Sequence, residues 1–313
     1  MTHQNAIPSG WDIGDISDLS GQRFLITGGT SGLGKAAAME LARHGAEITI
    51  TARNLSKGQQ VIDEIGKGRV IEMDLTILES VRKAALEVTE PFDVVILNAG
   101  VMATPLISTV DGFESQMATN HLGHFAFSGL IKDFIRHRLI TISSQAHRIG
   151  SFDSGSREDI KAKCLGLGEY SSWGSYGTSK LANLLFVAHL ERLRISNGWN
   201  FIPVAAHPGF SNTNLVLAGP RLRGNSLQER FIGGATSVIA QSAKQGVLPM
   251  LAAATFPGLI GASYVGPNGF MEMRGHPHLT RGRAIAYDQT LAADLWAMSE
   301  ELTGVRWETS PHA

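Results

Sequence analysis

The chain has 313 residues, 43% of them hydrophobic, enough for one large α/β domain or two small ones with a sizeable core. A formal net charge of −1 leaves no electrostatic footprint for nucleic acid or an anionic membrane surface. Cys164 is the only cysteine, which excludes an intrachain disulfide and a cysteine-built zinc cage and fits a reducing compartment.

Residues 1–20 read as an N-terminal arm. They carry Asp12, Asp15 and Asp18 and lack the basic start and apolar run of a signal peptide, so a cytoplasmic protein is expected. Residues 23–26 read as a short buried strand, and 35–44 as a helix closed by Gly45. Between them lies Thr27-Gly28-Gly29-Thr30-Ser31-Gly32-Leu33-Gly34. A strand, a glycine-rich turn and a helix N-terminus form an anion site, because the first-turn N–H groups and the helix dipole both favour negative charge. Gly28, Gly32 and Gly34 have the spacing of a dinucleotide-binding turn of the Gly-xxx-Gly-x-Gly kind. Gly29, Gly34 and Lys35 also match most of a P-loop, but Ala36 stands where that motif needs a hydroxyl.

Residues 46–51 form a second strand ending at Ala52-Arg53-Asn54, and 55–65 a helix. Residues 69–74 form a third strand, followed by a helix starting at Thr76 or Ser80. A fourth strand, 93–97, leads into Asn98-Ala99-Gly100. Residues 110–136 read as one long helical stretch kinked near Gly123, and 139–143 as a fifth strand. A polar segment at 150–174 precedes a strong helix at 176–194 and a sixth strand at 201–206. Residues 210–230 look like a substrate lid, followed by a helix from about Gln228 into the 240s. The uncharged run 247–266 is broken by Pro249, Pro257, Gly258 and Gly261. It reads as a buried helix end, a loop and a last strand at 262–265, not a membrane span. Residues 288–302 read as an amphipathic helix whose apolar side packs on the domain or, as the lesser alternative, forms a subunit contact.

Apolar strands alternating with helices predict an α/β fold: one doubly wound domain over 21–313, with a mostly parallel seven-stranded sheet flanked by helices. Ligands in such sheets sit beyond the strands' carboxyl ends, which singles out Gly28, Arg53, Asp74, Asn98, Ser143, Ser144 and His207. The second strand ends in Arg53, without the carboxylate that usually holds an NAD ribose. A guanidinium there suits a 2′-phosphate, so NADP(H) is expected over NAD(H).

Tyr176 and Lys180 are four apart on a helix and share a face. A phenol titrates near ~10, and a neighbouring ammonium favours its ionised form, making a tyrosine usable as a general acid/base. A hydroxyl at the end of the fifth strand, Ser143 or Ser144, is placed to donate to a carbonyl oxygen.

In order along the chain, Thr27-Gly28-xxx-Gly32-x-Gly34, Asp74-Leu75, Asn98-Ala99-Gly100, Asn120, Ile142-Ser143-Ser144, Tyr176-xxx-Lys180, Pro208-Gly209 and Thr213 resemble the short-chain dehydrogenase/reductases. The Ser-Ser-x-Ala-His and His-Pro-Gly runs are similar to the retinol-dehydrogenase-like and carbonyl reductase branch. The resemblance implies a Rossmann-type fold and hydride transfer between an alcohol and a carbonyl. Tyr176 is then the acid/base, and Lys180 lowers its pKa and binds the nicotinamide ribose. Ser144 orients the substrate, and Asn120 completes a proton relay. It implies cofactor contacts from Gly28, Thr30, Ser31, Gly32, Leu33, Gly34, Arg53 and Asn54. Further contacts are implied from Asp74, Leu75, Asn98, Ala99, Gly100, Tyr176, Lys180, Pro208, Gly209 and Thr213. A homodimer or homotetramer is the expected assembly.

Ser144 and Tyr176 are separated by 31 residues, so 150–174 reads as an inserted flap. With the lid it would enclose a small or lipophilic alcohol or carbonyl, with Phe152, Trp173, Phe210, Leu215 and Leu217 as pocket candidates. The pairs His121/His124 and His276/His278 lack a third ligand at useful spacing, so no metal site is expected. A dinucleotide sensor or scaffold without turnover is the competing class, and the apparently intact Asn120, Ser144, Tyr176 and Lys180 favour the enzyme.

Overall fold

A computed structural model describes residues 6–209 and 243–307. The expected lid, the start of the helix at Gln228, and Phe210, Thr213, Leu215 and Leu217 lie outside the described residues.

Eight strands form one sheet in the order β3-β2-β1-β4-β5-β6-β7-β8. They are β1 Arg23–Thr27, β2 Glu47–Ala52, β3 Gly68–Glu72, β4 Phe92–Leu97, β5 Ile135–Ile142, β6 Ile202–Ala206, β7 Tyr264–Pro267 and β8 Pro277–Leu279. Strands β1 to β7 run parallel, and β8 pairs antiparallel with β7. This is the doubly wound α/β fold with one more strand than expected. The additional strand is three residues long, begins with Pro277 and lies at the edge, so it carries no apolar run to announce it.

Helices cover both faces: α1 Gly32–Arg43, α2 Leu55–Ile65, α3 Leu78–Leu86, α4 Gly123–Leu130, α5 Arg157–Leu165, α6 Ser172–Asn197, α7 Leu248–Thr255 and α8 Gln289–Thr303. Central strands are apolar on both sides, so two buried clusters form. One holds Phe24, Ile48 and Ile96, and the other Leu25, Val95 and Leu139. The first also takes in Ile7, Trp11, Ile16 and Leu19, so the N-terminal arm is packed onto the sheet layer.

The stretch expected as one helix over 110–136 is divided. An α-turn at Ser115–Met117 passes into a π-helical turn at Ala118–Leu122 and then into α4, and residues 135 onward already belong to β5. The irregularity lies one turn before Gly123, and Asn120 is inside it.

Helix α8 packs on α6, with Trp296 stacked on Phe186 at a centroid distance of 5.7 Å. The expected flap contributes α5, whose Arg157 and Lys161 pair with Glu301 of α8, while Phe152, Ile160 and Cys164 enter the core. The α5 part of this segment therefore lies against the C-terminal helix, while Tyr170 bonds to Gln116 and the Thr104 carbonyl. Among the described residues, no helix is long and apolar enough to cross a membrane.

Candidate active site

The strand order reverses between β1 and β4, which opens a crevice beyond their carboxyl ends. A cavity of about 890 Å³ occupies it. Along one side lie Gly28, Thr30, Ser31, Gly32, Leu33 and Gly34, with Arg53 at the second strand's end and Asp74 and Leu75 after the third. Asn98, Ala99 and Gly100 form its floor, and Ser143, Ser144, Tyr176, Lys180, Pro208 and Gly209 close the far end. Residues spread over 180 positions of the chain thus reach one space because each follows a parallel strand or opens a helix.

The cradle is built by close approach. Gly28 has φ +69°, and a Cβ on Gly34 would strike the Gly28 carbonyl and the Asn98 amide. Asn98 Nδ2 donates to the Thr27 carbonyl at 2.8 Å, and the Ala99 N–H donates to Thr27 Oγ1 at 3.0 Å, tying the two strand ends together. Ser31 is the N-cap of α1 but makes no side-chain capping hydrogen bond, so its hydroxyl does not cover the helix's first-turn N–H groups. Arg53 stands exposed at the rim. Asp74 is held by Thr76, whose N–H and hydroxyl donate to its carboxylate at 2.9 and 2.7 Å.

Two expected site residues, Asn54 and Asn120, are not among the cavity-lining residues. Asn54 is off the cavity wall, and its side chain caps α2 by accepting the Lys57 N–H at 2.9 Å. Asn120 lies fully buried behind Gly100. Its side chain accepts the Val101 N–H at 2.8 Å and donates to the Val101 carbonyl at 3.0 Å and to Ser179 Oγ at 2.9 Å. Asn120 therefore joins the β4 end to the helix that carries Tyr176 and Lys180.

At the far end, α6 approaches the turn after β5 closely. A Cβ on Gly177 would lie 2.6 Å from the Ala146 carbonyl, so a glycine beside Tyr176 lets the phenol meet Ser144. Tyr176 is buried, and burial pushes its phenol up to about 12, against a hydrogen bond with Ser144 that pulls it down. Burial also brings Lys180 down to about 8. Its ammonium donates to the Ile142 carbonyl at 3.0 Å and sits 5.7 Å from the centre of the Tyr176 ring. The expected lowering of the phenol is thus not what the buried site gives: burial raises it.

The four flagged histidines hold structure. Thr27 Oγ1 and His124 Nε2 are 2.8 Å apart, and His121 Nε2 lies 3.0 Å from Ser299 Oγ. His276 and His278 bond to the backbone carbonyls of Trp11 and Gly266. Among the described residues, no group of three or more His, Cys, Asp or Glu is placed to hold a metal.

Sequence reasoning missed the wall formed by Met102, Gln145, Ile149 and residues Met271, Glu272 and Met273 of the β7–β8 hairpin. Of the expected apolar pocket residues described, Trp173 reaches the cavity, edge-on to Tyr176 at 6.1 Å, and Phe152 is in the core. The only local sign of the hairpin is its turn sequence, Gly266-Pro267-Asn268-Gly269.

Residues 22–155 match the family model of the short chain dehydrogenases. Human polyprenol dehydrogenase is 30% identical over 303 residues, 90% of this chain and 84% of that protein. Human retinol dehydrogenase 11 is 32% identical, over 92% of this chain and 87% of that protein. A crystal structure of an uncharacterized protein from Mycobacterium paratuberculosis superposes with a TM-score of 0.80 at 36% identity, covering 96% of this chain and all of that one. A blue fluorescent protein from a metagenomic library, solved with NADPH, shares the fold at a TM-score of 0.58 and 21% identity, over 79% of this chain and 96% of that one. The chain belongs to the short-chain dehydrogenase family of oxidoreductases, on its retinol-dehydrogenase-like branch.

Proposed function

We propose that this short-chain dehydrogenase interconverts an apolar alcohol and its carbonyl with NADP(H), using Tyr176 as general acid/base. The observation that carries the reading is the convergence of Ser144, Tyr176 and Lys180 on one end of a cavity whose other end is the glycine cradle.

The residues fit a dinucleotide. Gly34 lets the start of α1 approach the Gly28 carbonyl and Asn98, the N-terminus of α1 lines the cavity, and Arg53 waits at the rim where a 2′-phosphate would lie. Gly28 to Gly34 would hold the pyrophosphate, Asp74 and Leu75 the adenine, and Asn98 to Gly100, Lys180 and the Pro208–Gly209 turn the nicotinamide half. A bound nicotinamide supplies or receives the hydride.

The chain's own groups manage the proton. Tyr176 gives its proton to the substrate oxygen during reduction or takes it during oxidation, and Ser144 donates a hydrogen bond to the same oxygen. An ammonium on Lys180, 5.7 Å from the ring centre, would favour the phenolate and oppose the effect of burial. With the phenol pushed up to about 12, Tyr176 is already protonated at neutral pH, which suits carbonyl reduction. Alcohol oxidation needs the phenolate and rises with pH.

Met102, Ile149, Trp173, Met271 and Met273 make the substrate end largely apolar, which supports a lipophilic substrate. The names of the polyprenol and retinol dehydrogenases among its relatives agree.

Titration with NADPH, NADH and ATP–Mg²⁺, followed by a carbonyl and alcohol screen, tests the reading. Tighter NADPH binding and turnover that Tyr176→Phe abolishes support it. Turnover that survives Tyr176→Phe removes the proposed acid/base, and binding of ATP–Mg²⁺ alone overturns the enzyme class.

A further inference from the structure

Resting on that reading, we propose that Glu272 sets the charge selectivity of the substrate end, admitting alcohols and carbonyls with a neutral remote part and refusing those with an acidic group there. The β7–β8 hairpin carries this residue into the cavity wall by unusual means. Met271 and Glu272 have φ of +50° and +54°, two successive non-glycine residues in the left-handed region. Such residues cost on the order of 1–3 kcal/mol each and persist only where their surroundings over-determine them. Here the Glu272 N–H donates to the Gly269 carbonyl at 2.9 Å and the Met273 N–H to the Phe270 carbonyl at 3.1 Å. The result is that Met271, Glu272 and Met273 all line the cavity, two apolar side chains flanking one carboxylate.

The carboxylate is held as an anion. Gln145 Nε2 and Thr280 Oγ1 donate to it in short hydrogen bonds, and His207 Nε2 donates at 2.9 Å. Burial alone would raise its pKa, yet the hydrogen bonds from His207 and Thr280, with the charge that His207 and His278 carry when protonated, bring it down to about 2. His207 is fully buried, burial pulls its own pKa down, and its Nδ1 accepts the Gly209 N–H at 3.2 Å. A ring that accepts at Nδ1 carries its proton on Nε2, so His207 is a neutral donor and leaves the negative charge of Glu272 in place. Arg148 also reaches the cavity, but it is exposed, and its Nε is committed to Gln145 Oε1 at 2.6 Å. Solvent screens an exposed guanidinium more than a half-buried carboxylate.

Gln145 directly follows Ser144. A substrate oxygen placed at Ser144 and Tyr176 therefore sends the rest of the molecule past Gln145 and Glu272. A second anion brought there meets a like charge in a partly desolvated space.

The experiment compares decanal with its ω-carboxy counterpart as substrates for reduction, in the full chain. Glu272→Gln separates charge from architecture: its amide oxygen can accept from His207 and Gln145, and its NH₂ can donate to Thr280, whose hydroxyl rotates to accept. The wild-type protein is expected to favour decanal in kcat/KM. In Glu272→Gln the ratio is expected to move about tenfold or more toward the acidic aldehyde, and in Arg148→Gln it moves away from it or stays. A wild-type preference for the acidic aldehyde, or an unmoved ratio in Glu272→Gln while both proteins reduce decanal, overturns the proposal and leaves the oxidoreductase reading intact. If the wild-type protein reduces neither aldehyde nor any other carbonyl, both fall.

Discussion

The two ends of the cavity are built differently. The cradle end is made by residues adjacent in sequence: one strand, a four-residue turn and the first turn of α1, closed by Asn98 and Ala99 from the neighbouring strand. The far end takes Ser144 from one strand end, Tyr176 from a helix behind a long insertion and Glu272 from an edge hairpin. The first is a fixed receptacle whose tolerance is set by backbone contact. The second is an assembly of side chains whose chemistry depends on burial and partners. Substitutions at the cradle should therefore act on dinucleotide binding, and those at the far end on turnover.

The largest effect is expected from Tyr176→Phe, which keeps the ring and removes the proton donor. Turnover should fall by roughly 10²–10⁴-fold or more while the dissociation constant for NADPH changes little. A loss of binding as large as the loss of turnover would make Tyr176 a cradle residue and erase the contrast.

Gly34→Ala breaks the other end. The new methyl would meet the Gly28 carbonyl and Asn98, so backbone must move, at a cost of about 1–3 kcal/mol of overpacking. NADPH affinity should drop steeply, and Tm should fall by several degrees. Unchanged affinity would show that the cradle is looser than its geometry.

Acid should weaken the seam between the ends. Burial brings His124 down to about 3 and His121 to about 4. Below the ordinary histidine value of about 6.5 the unfolded chain takes up protons that the folded chain refuses, so stability falls as pH drops from 6.5 toward 4. Each unit of separation is worth about 1.4 kcal/mol. Tm measured across this window should decline in the wild-type protein and decline less in His121→Asn. Equal slopes would mean that His121 protonates without cost.

The smallest effect is expected from Arg53→Ala. An exposed guanidinium on a 2′-phosphate is screened, so the NADPH-over-NADH preference should shrink by about tenfold, near 1.4 kcal/mol. Parallel titrations with the two cofactors read it, and an unchanged ratio would assign 2′-phosphate recognition elsewhere.

How much of this was legible depends on where each residue's partners lie in the chain. The glycine turn, Asn98-Ala99-Gly100 and the Tyr176/Lys180 spacing could be read directly, because a strand followed by a turn, or two positions four apart on a helix, place groups without help from distant residues. Asn54 shows a residue type with two uses at a strand end, and here its side chain caps α2. The helix expected over 110–136 was overdrawn because its apolar pattern runs unbroken into β5, and periodicity does not separate a buried helix from a buried strand.

The sequence by itself determined the doubly wound order of strands and helices, the glycine turn and the helix that carries Tyr176 and Lys180, all of which follow from local spacing and apolar runs. The tertiary structure alone decided that Asn120 supports β4 and α6 from a π-helical turn, that burial raises Tyr176 above its ordinary value, and that the insertion leans on α8. It also decided that a carboxylate, Glu272, lines the cavity. Gln145 and Glu272 meet across 127 residues of chain, and contacts of that separation leave no period or motif in the sequence, only the packing that brings them together.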